Sequence, residues 1–262
     1  MKKYLRVFAA LFKACAIAQF EFRLNFIVKL AADLIWYMTQ LSIFEVLFHH
    51  TRSISGWTLE STRVFMGILF LVDALWMMLF SENLDRMSDK IRRGDLDLLL
   101  VKPINSQFMM SLKVMDPAYI VNISLITGWL IWALTQLPEP VVWSRLLLLL
   151  ITIPCGLIIT YSIRFLFSAS ALIFTRAENI NYVWYNFYRL ATRPDTIYPA
   201  WLRYTVLTFL PLGFVASVPA RLILETPDLV LLAAAVFAAS LSLYISHRFW
   251  NFGLRFYSSA SS

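Results

Sequence analysis

Long apolar runs are the feature that most restricts the fold of this chain. Hydrophobic residues make up 60% of its 262 residues, and a mean hydropathy of +0.68 excludes an ordinary globular domain. A run of about 19 apolar residues forms a helix about 28 Å long, enough to cross the hydrocarbon core of a bilayer. We therefore predict an all-α integral membrane protein with six transmembrane helices, at residues 30–48, 64–80, 118–137, 146–174, 202–224 and 229–245.

The fifth of these runs contains residues that interrupt a helix. Pro211, Gly213 and Pro219 all lie inside it. Proline lacks a backbone donor and clashes with the preceding helical turn. Irregular backbone at membrane depth is tolerated only where it is buried in protein or lines a cavity. We therefore predict that this run is broken, or that its end is re-entrant.

A dense island of charge, residues 81–107, separates the second and third runs, and we call it the charged segment. Leu84, Met87 and Ile91 repeat with helical spacing and form one narrow apolar stripe. Gly94 follows at the position where a helix needs a left-handed C-cap. A second short apolar turn comes next and is ended by proline, which disfavours helical geometry in the residue before it. The pattern predicts a helix, a turn and a second short helix.

Residues 1–23 predict a helix that lies in the membrane interface with a basic face. Lys3, Arg6 and Lys13 fall on one side of it, and apolar residues fall on the other. The alternative is a cleaved signal peptide, which needs an apolar core of about 7–15 residues. The basic residues leave only about six, so we expect no cleavage.

The distribution of lysine and arginine predicts the orientation, because cytoplasmic loops carry an excess of these residues. Six crossings place both termini on one side. With the termini inside, the basic residues of 1–23, of the charged segment and of a connector at 175–199 are cytoplasmic. Those left toward the outside are Arg52, Arg63, Arg145 and Arg221. The net charge of +7 thus indicates orientation, and we expect no nucleic-acid partner.

Motifs for enzymatic chemistry are missing from the sequence. It contains no G-x-x-x-x-G-K-[ST] phosphate loop, no G-x-S-x-G and no H-E-x-x-H, so we expect no cofactor and no metal in this chain. An ion-coupled secondary transporter and an integral-membrane enzyme stay open as alternatives, although both need more intramembrane titratable groups than are found. Two charges lie deep in apolar runs, Asp73 and Arg164. An unpaired charge there costs at least about 2.5–3.5 kcal/mol, so we predict that the two pair, in a structural role or in a substrate site.

Together, the basic helix, the six runs and the charged helix-turn-helix resemble the permease subunits of bacterial type-2 ATP-binding cassette (ABC) exporters. The most specific match is residues 91–103, IRRGDLDLLLVKP, which is similar to a G-x-(L/F)-D-x-x-L-x-(K/R)-P stretch in one subgroup of these permeases. Residues 193–199, with Pro211 and Pro219 beyond them, are similar to a second recurring stretch. The likeness covers the whole chain.

The resemblance implies a transport subunit of the bacterial cytoplasmic membrane with no enzymatic activity of its own. Two permease halves, identical or homologous, would form the pathway, and separate ATPase subunits would bind ATP and Mg. Those subunits would dock on the charged segment and on the N-terminal helix. Amphiphilic or cationic toxic compounds are the substrates expected, with lipid or glycan precursors as the rival class.

We predict that the charged segment couples the permease to its ATPase. The apolar stripe would fill a groove on the ATPase, and the charged flanks would set the orientation. The alternative is a helix resting on anionic lipid headgroups, which the acidic residues disfavour. The predicted coupling residues are Glu82, Leu84, Asp85, Arg86, Met87, Asp89, Lys90, Ile91, Arg92, Arg93, Gly94, Asp95 and Asp97.

Overall fold

The structure is a computed structural model that describes residues 2–20, 23–174 and 180–257. Within these ranges the chain forms helices joined by loops, and no strand. The α-helices are α1 (Lys2–Phe20), α2 (Arg23–His50), α3 (Leu59–Trp76), α4 (Glu82–Asp85), α5 (Met87–Arg92), α6 (Asp97–Leu100), α7 (Ser106–Leu112), α8 (Tyr119–Thr135), α9 (Trp143–Leu146), α10 (Leu149–Ala169), α11 (Ile180–Tyr188), α12 (Ala200–Thr208), α13 (Ser217–Leu224) and α14 (Leu229–Gly253).

The all-α membrane class is confirmed, but the number of long spans is smaller than predicted. In the described part of the chain, α8 is a shorter apolar helix of 17 residues. Among the described residues, four stretches are long and apolar enough to cross a bilayer: Phe26–His50, Leu59–Arg92, Trp143–Leu172 and Leu229–Gly253. The second of them includes α3 and the first part of the charged segment.

Residues 180–199, predicted to lie in a cytoplasmic connector, run alongside α3 in the opposite direction. Three hydrogen bonds join them, in order, to α3 and its flanking residues: Asn181 to Asp85 (3.1 Å), Tyr188 to Asp73 (3.5 Å) and Thr196 to Trp57 (2.8 Å). The segment therefore reaches from one end of α3 to the other. The cytoplasmic position of the connector stays a prediction, although a segment that follows the length of α3 does not resemble a loop at one end of the helices. Residues 175–179 lie outside the described ranges.

The fifth apolar run does not form one crossing helix. It forms α12 and α13, joined by a 3₁₀ turn at Leu212–Phe214, and every residue from 211 to 220 is buried. The predicted break is therefore confirmed. Both arms return to the same place, because Arg203 and Arg221 each donate to the carboxylate of Asp195, at 3.0 and 3.3 Å. We call this element, residues 200–224, the hairpin.

The tip of the hairpin lies against α10. A Cβ added to Gly156 would be only 3.1 Å from the Cα and the carbonyl oxygen of Val215. This close approach of two backbones requires glycine at position 156.

Two apolar cores organise the helices. The larger one lies between α3, α8, α10 and the hairpin. The smaller one lies at the end of α3 that carries the charged segment, where α10 and α14 also end. The charged segment is thus built onto the ends of the long helices.

Candidate coupling site

The charged segment continues directly from α3. A π-helical turn, Met77–Ser81, joins α3 to α4, and the helix is interrupted at Arg86 before α5 begins. The left-handed cap predicted at Gly94 is confirmed by a φ of 79°. The second predicted helix is also present, as α6. The first predicted helix is therefore two shorter helices with one bend between them.

The apolar stripe of the charged segment is buried in this chain's own smaller core. Leu84 and Met87 have no exposed surface, and Ile91 is also buried. Their neighbours in the core come from the helix ends and from α6 and α7, and include Trp76, Leu99, Met109, Met110, Phe165 and Trp250. The expectation that this stripe fills a groove on another protein is wrong, because its contacts are already occupied.

The charged residues of the segment lie around this buried stripe. Glu82 and Arg86 form an ion pair at 3.0 Å one helical turn apart, and Asp89 pairs with Arg92. Among the other predicted coupling residues, Lys90, Gly94 and Asp97 are half-buried, whereas Arg93 and Asp95 are exposed. Burial of Tyr257, which follows α14, together with the nearby Asp97 carboxylate raises the pKa of the tyrosine.

Three apolar side chains at the end of the charged segment are exposed, and sequence reasoning did not single them out. Leu98 is 68% exposed, Leu100 41% and Val101 81%. We call them the apolar tip. Leu98 and Val101 are three residues apart, so they share one helical face, opposite the buried Leu96 and Leu99. The signal available in the sequence was the helical spacing of these apolar residues, which divides them between two faces of the turn. One core can bury only one of those faces.

Arg164 fastens the charged segment to α10. Its side chain has no exposed surface and donates to the Asp85 carboxylate at 2.7 Å and to the Leu84 carbonyl at 3.4 Å. It also donates to Ser168 of α10 and to Asn181 of α11. One buried cation therefore joins α4, α10 and α11.

Asp85 completes this group by accepting hydrogen bonds from two further side chains. The hydroxyl of Ser81 donates to it at 2.9 Å and that of Tyr185 at 3.3 Å. The predicted pair of Asp73 and Arg164 is not formed, because Asp73 lies 12 residues, or about 18 Å, before Asp85 on the helix. Asp73 instead accepts a hydrogen bond from Tyr188.

The N-terminal helix α1 also contacts the charged segment. Lys3 donates to the carbonyl of Pro103 at 2.7 Å, and the ring of Tyr4 meets that of Phe108 edge to face at 5.1 Å. At the other end of α1, Gln19 donates to the carboxylate of Asp116. The helix therefore lies along residues 103–116, which begin within the charged segment and include α7.

Asp116 ties α1 and α2 to the π-helical turn. Its carboxylate accepts from Lys29 of α2 at 3.0 Å, and its backbone N–H donates to the carbonyl of Met78 at 2.9 Å. A π-helical turn leaves the usual helical hydrogen bonding locally altered, and such turns are common at functional sites. A displacement of the charged segment would thus reach α1, α2, α3, α10 and α11 through named contacts.

Comparison with known proteins identifies the chain's family. The family model described as ABC-2 family transporter protein matches residues 34–261, which is well over half of the chain. No curated protein and no solved structure matches. The match includes the charged segment, the Arg164 contacts and the hairpin. The chain therefore belongs to the ABC-2 family of transporter proteins.

Proposed function

We propose that this chain is the permease half of an ATP-driven exporter and that separate ATPase subunits supply the energy. The observation that carries the proposal is a charged segment fixed to the membrane helices by Arg164 while its apolar tip is left exposed. A rigid attachment on one side and a free contact surface on the other are what mechanical coupling requires. ATP and Mg would be held by the partner chain.

The contacts favour six crossings in a different arrangement from the one predicted. They would be made by α2, α3, α8, α10, residues 180–199 and α14, with the hairpin entering from the side opposite the charged segment. Both termini and the charged segment would be cytoplasmic, in the inner membrane of a bacterium, since α1 and the segment carry many basic residues.

The apolar tip is our candidate for the centre of the ATPase contact. Buried apolar side chains ringed by polar ones dominate most protein interfaces. Arg93 and Asp95 are exposed close to the tip in sequence, so the rim carries both signs of charge. An anionic lipid surface would repel Asp95, whereas a protein surface can match both charges.

Two permease halves would form the pathway, as a homodimer or with a homologous chain. The surface of α2 is available for this contact, because only 6% of its apolar stretch is buried within the chain. Export, rather than import, is the direction that the resemblance implies.

Placing a charge on the apolar tip tests the coupling role. In Leu98→Glu and Val101→Glu, we expect the permease to insert normally, because both side chains are exposed. We expect the co-expressed ATPase to be lost from the purified complex, with at least a tenfold fall in complex-dependent ATP hydrolysis, about 1.4 kcal/mol in binding. Val142→Glu is the matched control, since Val142 is 54% exposed in the loop before α9. Equal ATPase recovery and hydrolysis in all variants would place the contact elsewhere.

A further inference from the structure

A groove of about 990 Å³ lies between α2 and residues 189–198. The wall from α2 is apolar apart from Gln40 and includes Trp36 and Leu47. The opposite wall includes Arg189 and Arg193. From Trp36 to Leu47 the groove follows α2 for 11 residues, or about 16 Å. Its dimensions suit an elongated small molecule with an apolar body.

The charged side chains that line the groove, Arg189 and Arg193, are both positive. No aspartate or glutamate lines it among the residues that the structure describes. Two carboxylates near the groove are paired with other arginines: Glu45 with Arg63 at 2.6 Å, and Asp195 with Arg203 and Arg221. Within the described ranges, neither Arg189 nor Arg193 has an acidic partner, and both side chains are exposed. The groove therefore offers two uncompensated guanidinium groups beside aromatic rings.

The position of the two arginines favours an anionic partner. They follow Tyr188, which contacts Asp73 within α3, and precede Thr196, which contacts Trp57 before α3. In our proposed topology this places them in the half of the bilayer away from the charged segment. A charged side chain at membrane depth is costly and is normally found with a partner or in a pathway for ligands. No carboxylate lines the groove to supply that partner among the residues that the structure describes.

We propose that this groove binds an amphiphile that carries one anionic group, such as a phosphate, on an apolar body, and that this amphiphile is the cargo. Arginine suits the role because its planar guanidinium donates two parallel hydrogen bonds to a phosphate or carboxylate. The aromatic rings and Leu47 would cover the apolar body. The cargo assignment rests on the proposed export function, whereas the binding site does not. It also favours an anionic amphiphile over the cationic compounds expected from the sequence.

Binding of two probes with opposite charge tests the site without any ATPase. Decyl phosphate and decyltrimethylammonium would each be titrated by equilibrium dialysis against the purified full chain in an uncharged detergent, with empty micelles subtracted. We expect the phosphate to bind at least tenfold more tightly than the ammonium. In Arg189→Gln/Arg193→Gln this preference should disappear, because charge-assisted hydrogen bonds are among the strongest polar contacts. Each single variant is tested too, in case the double variant does not purify.

A matched control removes the same charge elsewhere. Arg6→Gln/Arg248→Gln takes two exposed arginines from α1 and α14, and we expect it to bind decyl phosphate like the unmodified chain. Equal binding of the two probes, or equal losses in both double variants, would overturn the site. A phospholipid that co-purifies in a fixed ratio and is not displaced by decyl phosphate would show a structural lipid there and overturn the cargo assignment.

Transport separates the site from the proposed function. In vesicles that contain the permease with its ATPase, we expect ATP-dependent movement of decyl phosphate by the unmodified chain and loss of that movement in Arg189→Gln/Arg193→Gln. Binding without movement, when ATP hydrolysis is intact, would overturn the cargo assignment. A complex that hydrolyses no ATP with any permease variant would overturn the proposed function and leave the binding result standing.

Discussion

Arg164 is a fully buried cation in a membrane helix, and each of its terminal nitrogens has a partner on another residue. Nη1 donates to Ser168, and Nη2 donates to Asp85 and two further oxygens. Lysine could not reproduce this, because an ammonium is a single point of charge whereas guanidinium donates in several directions within a plane. The residue therefore acts as a fixed joint between elements.

Replacing this arginine should weaken both the fold and the coupling. Arg164→Gln leaves Asp85 without its cation, and we expect a loss of stability of at most about 3–5 kcal/mol, the range for breaking a buried pair. The loss should fall below that limit because Asp85 is 29% exposed. Arg164→Lys should recover only part of it. The measurement is the midpoint of thermal unfolding in detergent, together with ATP hydrolysis by the complex.

Arg63→Gln is the control for this change. Arg63 also pairs with a carboxylate, Glu45, but at the opposite end of α3. We expect it to leave coupling to the ATPase unchanged. If Arg164→Gln matched this control in both stability and ATP hydrolysis, the joint would carry no mechanical role.

The charged segment is an element that belongs to the core of its own chain. Met87 is fully buried, so Met87→Glu should prevent the segment from folding, because burying an ionised carboxylate without a partner is very costly. We expect little protein to survive extraction, measured as the monodisperse fraction in size-exclusion chromatography. A well-folded Met87→Glu variant that has lost only its ATPase would instead support the sequence-based idea of an exposed stripe.

The hairpin gives a test of close packing between elements. In Gly156→Ala the added methyl group would meet the backbone of Val215 at 3.1 Å, so we expect destabilisation of about 1–3 kcal/mol. Gly128→Ala is the control, since no atom lies within 4 Å of its added Cβ. That change should be neutral or stabilise α8 by up to about 1 kcal/mol. A lower unfolding temperature in Gly128→Ala than in Gly156→Ala would contradict the packing.

At the scale of elements, the sequence predicted correctly those features in which a single residue determines the backbone conformation. Gly94 ends a helix and Pro211 interrupts one, and both are consequences of sequence over a few residues. The partner of Arg164 was not accessible in this way. Asp73 lies in an apolar run and Asp85 in the charged segment, and only the three-dimensional path of the helix that carries both decides which carboxylate Arg164 contacts.

At the scale of the whole molecule, the apolar pattern revealed the class of fold but missed the segment from 180 to 199. Its asparagines and tyrosines resemble those of a loop in water. In the structure Asn181, Tyr188 and Thr196 each have a hydrogen-bond partner on or beside α3, so the segment can lie within the helix bundle. Hydropathy measures the polarity of a side chain and carries no information about whether a partner is present.

Cysteine labelling tests this path. In a chain without Cys15 and Cys155, we would introduce Ser53→Cys, Ala200→Cys and Lys102→Cys, all at exposed positions. A thiol reagent that cannot cross membranes should label the first two from outside intact cells, and should reach Lys102→Cys only after the cells are opened. If Ala200→Cys is labelled only after the cells are opened, as expected for Lys102→Cys, residues 180–199 do not cross the membrane and lie on the cytoplasmic side.

The contacts of Arg164 also have a consequence for the order in which the protein matures. The chain is synthesised from its N-terminus, and Asp85 leaves the ribosome 79 residues before Arg164 and 96 residues before Asn181. Until those later residues are in the membrane, the charged segment lacks its contacts with α10 and α11. Under the proposed function, a nascent or truncated chain would lack a finished contact for the ATPase, and assembly of the complex would wait for the full set of helices.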